Sequence, residues 1–255
     1  MNYSIAQLDA FIESSLKEDI GTGDHTSLST IPNGVQSQAK LLVKEEGIIA
    51  GVQVAQRIFQ LVDEKLQVDL FKNDGDSVYP GDIILHVKGS VHAILKAERL
   101  VLNTMQRMSG IATTTAHAVD LVKGTETKIL DTRKTTPGLR FLEKEAVKIG
   151  GGHNHRFGLF DMILIKDNHV DYAGGITNAL QNAHQYLKNT SLEIPIEIET
   201  RNLNEVNEAI KIGGFKRIMF DNFSFDDIRK AVALVAGKFE TEASGGINLT
   251  NVKEY

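Results

Sequence analysis

From Lys128 onward the chain alternates between two textures. Short apolar runs ("KILD", "DMILIKD", "IPIEIE", "RIMFDN" and "FETEAS") are separated by segments with apolar residues at helical spacing, over 139–149, 173–187, 203–212 and 225–235. Such alternation is the pattern of parallel strands joined by crossover helices, because a tight turn cannot connect parallel neighbours. About five strand–helix units are legible, short of the eight of a complete (β/α) barrel.

The first half reads differently. Ile5, Leu8, Ile12 and Leu16 recur at helical spacing, and "EDIGTGDHTS" follows as a polar, glycine-broken loop. "QAKLLVKEEGIIAG" reads as a pair of short strands, "VQVAQRIFQLV" as a helix, and "VDLFKNDGDSVYPGDIILHVKGS" as strand–turn–strand. Residues 92–122 carry a helical pattern in which Gly110 is expected to separate two helices. The expected class is α/β. An N-terminal α+β domain with a helical connection spans 1–110, and an open, incomplete parallel α/β barrel spans 111–255.

Composition removes several function classes. With 28 Lys and Arg against 33 Asp and Glu, the net charge of −5 gives no general nucleic-acid or membrane surface. There is no cysteine, so disulfides, thiolate zinc sites and a cysteine nucleophile are excluded. The first residues lack a signal-peptide pattern, and no apolar run reaches the ~20 residues of a membrane span, so a soluble cytoplasmic protein is expected.

Parallel α/β folds place their chemistry at the carboxyl ends of the strands. Here those ends carry Asp131 followed by "TRKTTPG", then Lys166, Glu197 and Glu199, Asp221, and Ser244 before two glycines. Alternation puts Ile194, Ile196 and Ile198 on one face and both glutamates on the other, where carboxylates need water, a cation or metal. Met162, Leu164 and Lys166 likewise share a face. Arg133, Lys134, Arg156 and Lys166, with His155, form a cationic set. Glu197 and Asp221 form an anionic one, and the "SGGI" backbone can cradle a phosphate. Such a cleft suits a molecule with several anionic groups. Each piece also has a plainer reading: "SGG" as a turn, Arg133 and Lys134 as a solvated loop, Glu197 and Asp221 as salt-bridge partners. His153, His155 and His169 also admit a metal, and Lys166 a Schiff base.

With these residues assembled, the chain resembles the quinolinate phosphoribosyltransferases, also called carboxylating nicotinate-nucleotide pyrophosphorylases. The resemblance is densest in "EDIGTGDHT", "AERLVLNTMQRMSGIAT", "ILDTRKTTPGLRFLEKEAVKIGGGHNHRFGLFDMILIKDNH", "IEIET", "FDNF" and "ASGGI". It implies transfer of phosphoribose from 5-phosphoribosyl-1-pyrophosphate to quinolinate with loss of CO₂, using Mg²⁺ and no organic cofactor, in a homodimer with shared sites. By carry-over, Thr132, Arg133, His155, Arg156 and Lys166 bind quinolinate, with Arg99 from the partner. Lys134 and Lys166 lie where the substrates meet, Glu197 and Asp221 serve the ribose and Mg²⁺, and Ser244 and Gly245 hold the 5-phosphate. Members of the family continue for about one more strand and helix beyond the position of Tyr255, so a barrel shortened at its C-terminal end is expected. Other readings remain open: a related molybdenum-transport-associated barrel protein, a lyase using Lys166, and a metabolite-binding regulator without turnover.

Overall fold

Ser4 opens the first helix: its hydroxyl accepts the Gln7 N–H at 3.1 Å, a side-chain cap for α1 (Ile5–Ile20). The computed structural model describes residues 3–255, which divide into two compact units, one running up to His155 and the other Arg156–Tyr255. Among the described residues no helix is long and apolar enough to cross a membrane.

In the first unit, α1 buries Leu8 and Ile12. A short α2 (His25–Thr30) begins within the stretch expected as loop, started by the Asp24 carboxylate accepting the Ser27 N–H at 3.0 Å. Then come β1 (Gln36–Leu42), β2 (Gly47–Ile48), α3 (Val52–Val62), β3 (Gln67–Leu70), β4 (Ser77–Val78) and β5 (Ile83–Ser90). The expected pairing of β1 with β2 does not form. The seven-residue β1 pairs antiparallel with the eight-residue β5, which also takes β3 on its other edge, while β2 pairs with β4. A two-residue β2 cannot satisfy the backbone of β1, whereas β5 matches its length and buries Ile84, Leu85 and Val87.

The expected break at Gly110 is also absent: α4 (Val91–Leu121) is one helix of 31 residues. Glycine costs a helix interior about 1 kcal/mol relative to alanine. That cost is small beside the burial of Met105, Met108, Ala112 and Thr115 around it. Ser109 and Thr113 add anchors, accepting the Ala50 and Ile48 N–H groups at 3.0 and 2.9 Å.

α5 (Arg140–Ile149) packs on α4 and ends in three glycines. The run "KILD" makes one isolated parallel bridge, Leu130 with His153, in place of a full strand. Its backbone pairing extends only to Asp131 N–H on His153 O (3.1 Å) and His153 N–H on Ile129 O (2.8 Å). Beyond that, the Asp131 side chain gathers polar partners and the chain turns into the "TRKTTPG" loop.

The second unit contains β6 (Ile163–Ile165), α6 (Asp167–Ala173), α7 (Ile176–Thr190), β7 (Ile196–Thr200), α8 (Leu203–Ile212), β8 (Arg217–Asp221), α9 (Phe225–Val235) and β9 (Glu240–Ser244). The four strands form one parallel sheet in the order β6-β7-β8-β9, so four of the five expected runs are strands of one sheet. The helix expected over 173–187 is α7, which starts after Gly174 and Gly175, whose positive φ angles separate it from the short α6 before them.

Register gives this sheet two unlike faces. Ile165, Ile196, Ile198, Ile218 and Phe220 belong to a core shared with Val170, Leu180, Val206 and Ala231 from the helices. Each such side chain contributes about 1.5–3 kcal/mol by leaving water. Leu164 pairs with Glu197, Glu197 with Arg217, and Arg217 with Glu240, so the other face is largely charged. Parallel sheets are usually apolar on both sides. This one keeps a polar face on which a single cation, Arg217, sits among three carboxylates. Arg217 lies 3.7 Å from Glu197, 2.8 Å from Glu240 and 2.9 Å from Glu242.

Candidate active site

The expected site residues fall in both units. In the first, the parallel pairing of 129–131 with 153–155 makes both segments run out at the same end. It therefore brings the "TRK" loop and His155 out side by side. Thr132 is exposed, and its hydroxyl accepts the Lys134 N–H at 2.9 Å, which folds the loop on itself. Lys134 is exposed. Arg133 is half-buried, and its Nε is shielded from water with no hydrogen-bond partner. A guanidinium N–H in that state is costly, so it marks a place where an anion would be welcome. Arg99 is exposed on α4.

In the second unit, Lys166 follows β6 in extended geometry (φ −102°, ψ 171°) and precedes α6. Its alternation with Leu164 puts it on the charged face. Arg156 is buried, and its Nη1 donates to Met162 O at 3.2 Å. His169 does not present a free ring to a metal: its Nδ1 accepts the Lys166 N–H at 2.9 Å and starts α6. A cavity of about 370 Å³ in this unit is lined by Arg156, His169 and the β6 residues, and Glu199, Asp221 and Ser244 do not line it.

Glu197 and Glu199 share the charged face but not its depth. Glu197 lies opposite Arg217, the first residue of β8, whereas Asp221 is the last. At 3.3 Å per residue that separation along the strand is ~13 Å. Glu199 lies opposite Met219, only ~7 Å from the level of Asp221. Glu197 is fully buried beside Arg217. Glu199 feels the charges of Asp221, Lys166 and Asp167, and its carboxyl is pushed above the usual range, first by burial and then by Asp221, with Lys166 opposing. The group gathered at the strand ends is thus Lys166, Glu199 and Asp221. Glu199 and Asp221 supply the oxygen donors that a hard divalent cation takes. Glu197, given that role from the sequence, lies one layer down with a guanidinium as its counter-charge.

Asp221 also pairs in register with Ser244, and the Asn222 N–H donates to Ser244 O at 2.8 Å. Gly245 follows with φ +97°, and a Cβ there would stand 2.2 Å from Asn222 Oδ1. Only glycine allows the two strand ends to meet this closely, leaving the Gly245–Gly246 backbone at the carboxyl end of the sheet.

Comparison with known proteins decides the family. Residues 24–109 match the quinolinate phosphoribosyl transferase N-terminal domain, and residues 111–255 match its C-terminal domain. The chain belongs to the quinolinate phosphoribosyl transferase family. It is 47% identical to the chloroplastic nicotinate-nucleotide pyrophosphorylase [carboxylating] of Arabidopsis thaliana, over 96% of this chain and 74% of that one. It is 46% identical to a probable nicotinate-nucleotide pyrophosphorylase [carboxylating] of Bacillus subtilis, over 98% and 84%. The crystal structure of NadC from Streptococcus pyogenes superposes with a TM-score of 0.93 at 37% identity, covering 99% of this chain and 88% of that one. Members of the family thus share both units of this fold, and the lyase, molybdenum-associated and regulator readings lose ground to the transferase one.

The sequence placed Asp131 at a strand end but gave no sign of Lys144 and Asn154, its buried partners beneath the "TRK" loop.

Proposed function

We propose that the chain joins quinolinate to 5-phosphoribosyl-1-pyrophosphate and releases pyrophosphate and CO₂, giving nicotinate mononucleotide for NAD biosynthesis. The reading is supported by family membership and by one structural observation: Lys166, Glu199, Asp221 and the Ser244–Gly245 backbone share the carboxyl end of a single sheet. Quinolinate is a planar diacid, which arginine forks and lysines recognise; Thr132, Arg133, His155, Arg156 and Lys166 take that role, with Arg99 of the partner subunit. Ser244 and Gly245 take the 5-phosphate through backbone N–H groups. The site is thereby completed in a homodimer, with the division between its domains near residue 110.

Loss of pyrophosphate leaves positive charge on the anomeric carbon. Glu199 and Asp221 stabilise it and hold the ribose hydroxyls, while Lys134 and Lys166 steady the anionic partners. Glu197 sits below them, beside Arg217. Mg²⁺, held near Glu199 and Asp221, would draw charge from the departing pyrophosphate. Once the ring nitrogen is alkylated, its positive charge accepts the electron pair left when CO₂ departs, and that pair then takes a proton from a neighbouring lysine or histidine. No organic cofactor enters this scheme. A cytoplasmic location belongs to the same proposal, with the bacterial relative as its support.

Incubation of the pure protein with quinolinate, phosphoribosyl pyrophosphate and Mg²⁺ tests the proposal, with nicotinate mononucleotide and CO₂ as the expected products in equal amounts. Absence of both refutes it. Arg133→Ala should abolish quinolinate binding, measured by titration calorimetry, without moving the unfolding midpoint. Unchanged affinity would count against the assignment. Borohydride with a carbonyl substrate should leave Lys166 unmodified.

A further inference from the structure

A buried ionic cluster lies under the quinolinate-side loop and holds the backbone of His155. The Asp131 carboxylate accepts from the Lys144 ammonium, from Asn154 Nδ2 at 2.5 Å and from the His155 N–H at 2.9 Å. Lys144, on α5, is 1% exposed and also donates to His155 O at 3.1 Å. Asn154 Nδ2 reaches back to Lys144 O at 2.8 Å. One cluster therefore ties together three segments: the start of the "TRK" loop, α5, and the stretch that delivers His155.

Glu143, the residue before Lys144, does the same at the far end of the loop. It is buried, accepts the Thr136 N–H at 3.2 Å, and is gripped by Arg107 of α4 through Nε at 3.0 Å and Nη2 at 2.8 Å. Two consecutive side chains of one helix thus clamp both ends of residues 131–136. Buried ion pairs are poor stabilisers compared with apolar side chains of the same size. What a fully satisfied network does supply is a fixed geometry. Geometry is what this loop needs, because Arg133 Nε has no hydrogen-bond partner within the protein to hold it.

We propose that Asp131, Lys144 and Asn154 are positioning residues that set Arg133 and His155 against the two carboxylates of the pyridine diacid. The inference rests on the functional reading above. It differs from a general stabilising role in one respect: through Arg133 and His155 the cluster acts mainly on the diacid, whereas the phosphoribosyl donor is held mainly at the strand ends of the other unit, with Lys134 the one loop residue that faces both.

The test compares steady-state constants for both substrates in wild type and three variants, with the urea midpoint recorded for each. Asp131→Leu with Lys144→Met replaces the pair by apolar groups and leaves no orphan charge. It should fold and raise the KM for quinolinate at least about tenfold, the scale of a sub-ångström misplacement, with the donor KM within about twofold. Asp131→Asn with Lys144→Gln restores a hydrogen bond without charge and should recover part of that loss. Asn154→Ala keeps the ion pair and should raise the quinolinate KM less, in the same direction, so it carries the test if the apolar pair fails to fold. Unchanged quinolinate KM in folded variants, or equal rises for both substrates, overturns the positioning role alone. No turnover of quinolinate by the wild type removes the functional reading and this inference with it.

Discussion

Adding one methyl group at Gly150 should loosen the whole quinolinate side of the molecule. Gly150 has φ −75° and ψ 4°, so alanine meets no backbone strain there. The obstacle is steric: a Cβ at this position would stand 2.3 Å from Ala112 O and 2.8 Å from Thr115 Cβ, where ordinary contact begins at 3.4 Å. Helix α4 must retreat by roughly 1 Å, and a helical carbonyl cannot swing aside alone; overpacking of this kind costs about 1–3 kcal/mol. Alanine recovers about 0.4–1 kcal/mol by restricting the unfolded chain, so a net loss of ~1–2 kcal/mol is expected. For a chain of this size that lowers the melting temperature by about 2–8 °C. Gly152 is a different obstacle, met mainly by the side chains of Thr115 (Cγ2, 2.8 Å) and Val147 (Cγ1, 2.8 Å). Thr115→Ser deletes that Cγ2 and should restore part of the stability of Gly152→Ala but none of that of Gly150→Ala. Urea unfolding followed by circular dichroism measures the wild type, the three single variants and the two double variants. A Gly150→Ala variant as stable as wild type, or equal rescue of both glycine variants, would refute the packing argument.

Two further outcomes follow from the charged face of the second unit. Glu199→Gln should abolish turnover yet raise stability at neutral pH. The folded state holds this carboxyl above its ordinary value, so folding takes up a proton and stability falls as pH rises from about 4.5 through the folded value. The gain should vanish below that window; an equal difference at acid and neutral pH, read from urea midpoints, would contradict it. Arg217→Met strips the cation from Glu197, which is fully buried, and should cost about 3–5 kcal/mol. Adding Glu197→Gln should return part of that loss, and a double variant no more stable than the single one would show that the two do not interact.

Local pattern made the helices legible. The spans 203–212 and 225–235 match α8 and α9, because each buries one apolar stripe between a polar cap and a glycine or left-handed residue. Gly110 misled because a weak local penalty was set against packing from residues sixty positions away. The "GGG" of 150–152 looked like flexibility, yet Gly150 and Gly152 are there because α4, Thr115 and Val147 leave no room for a Cβ. Lys144 and Asp131 were invisible as a pair, since neither periodicity nor charge balance says which of 28 basic side chains will be buried.

The two glutamates of β7 mark the limit of such reading. Alternation along one strand assigns a residue to a face, and it put Glu197 and Glu199 together correctly. Depth on that face is a different variable, fixed by how the strand registers against its neighbour, and register depends on residues contributed by β8. A shift of two positions leaves the face unchanged while moving a carboxylate by ~7 Å, from beside Arg217 to beside Asp221 and Lys166. The chemistry inverts with it: one carboxylate is neutralised by a guanidinium below, and the other is held near a second carboxylate at the strand ends. A protein that gathers like charges at one level needs opposite charges beneath them; β7 carries a carboxylate at each level, and the cation beneath is Arg217 of β8.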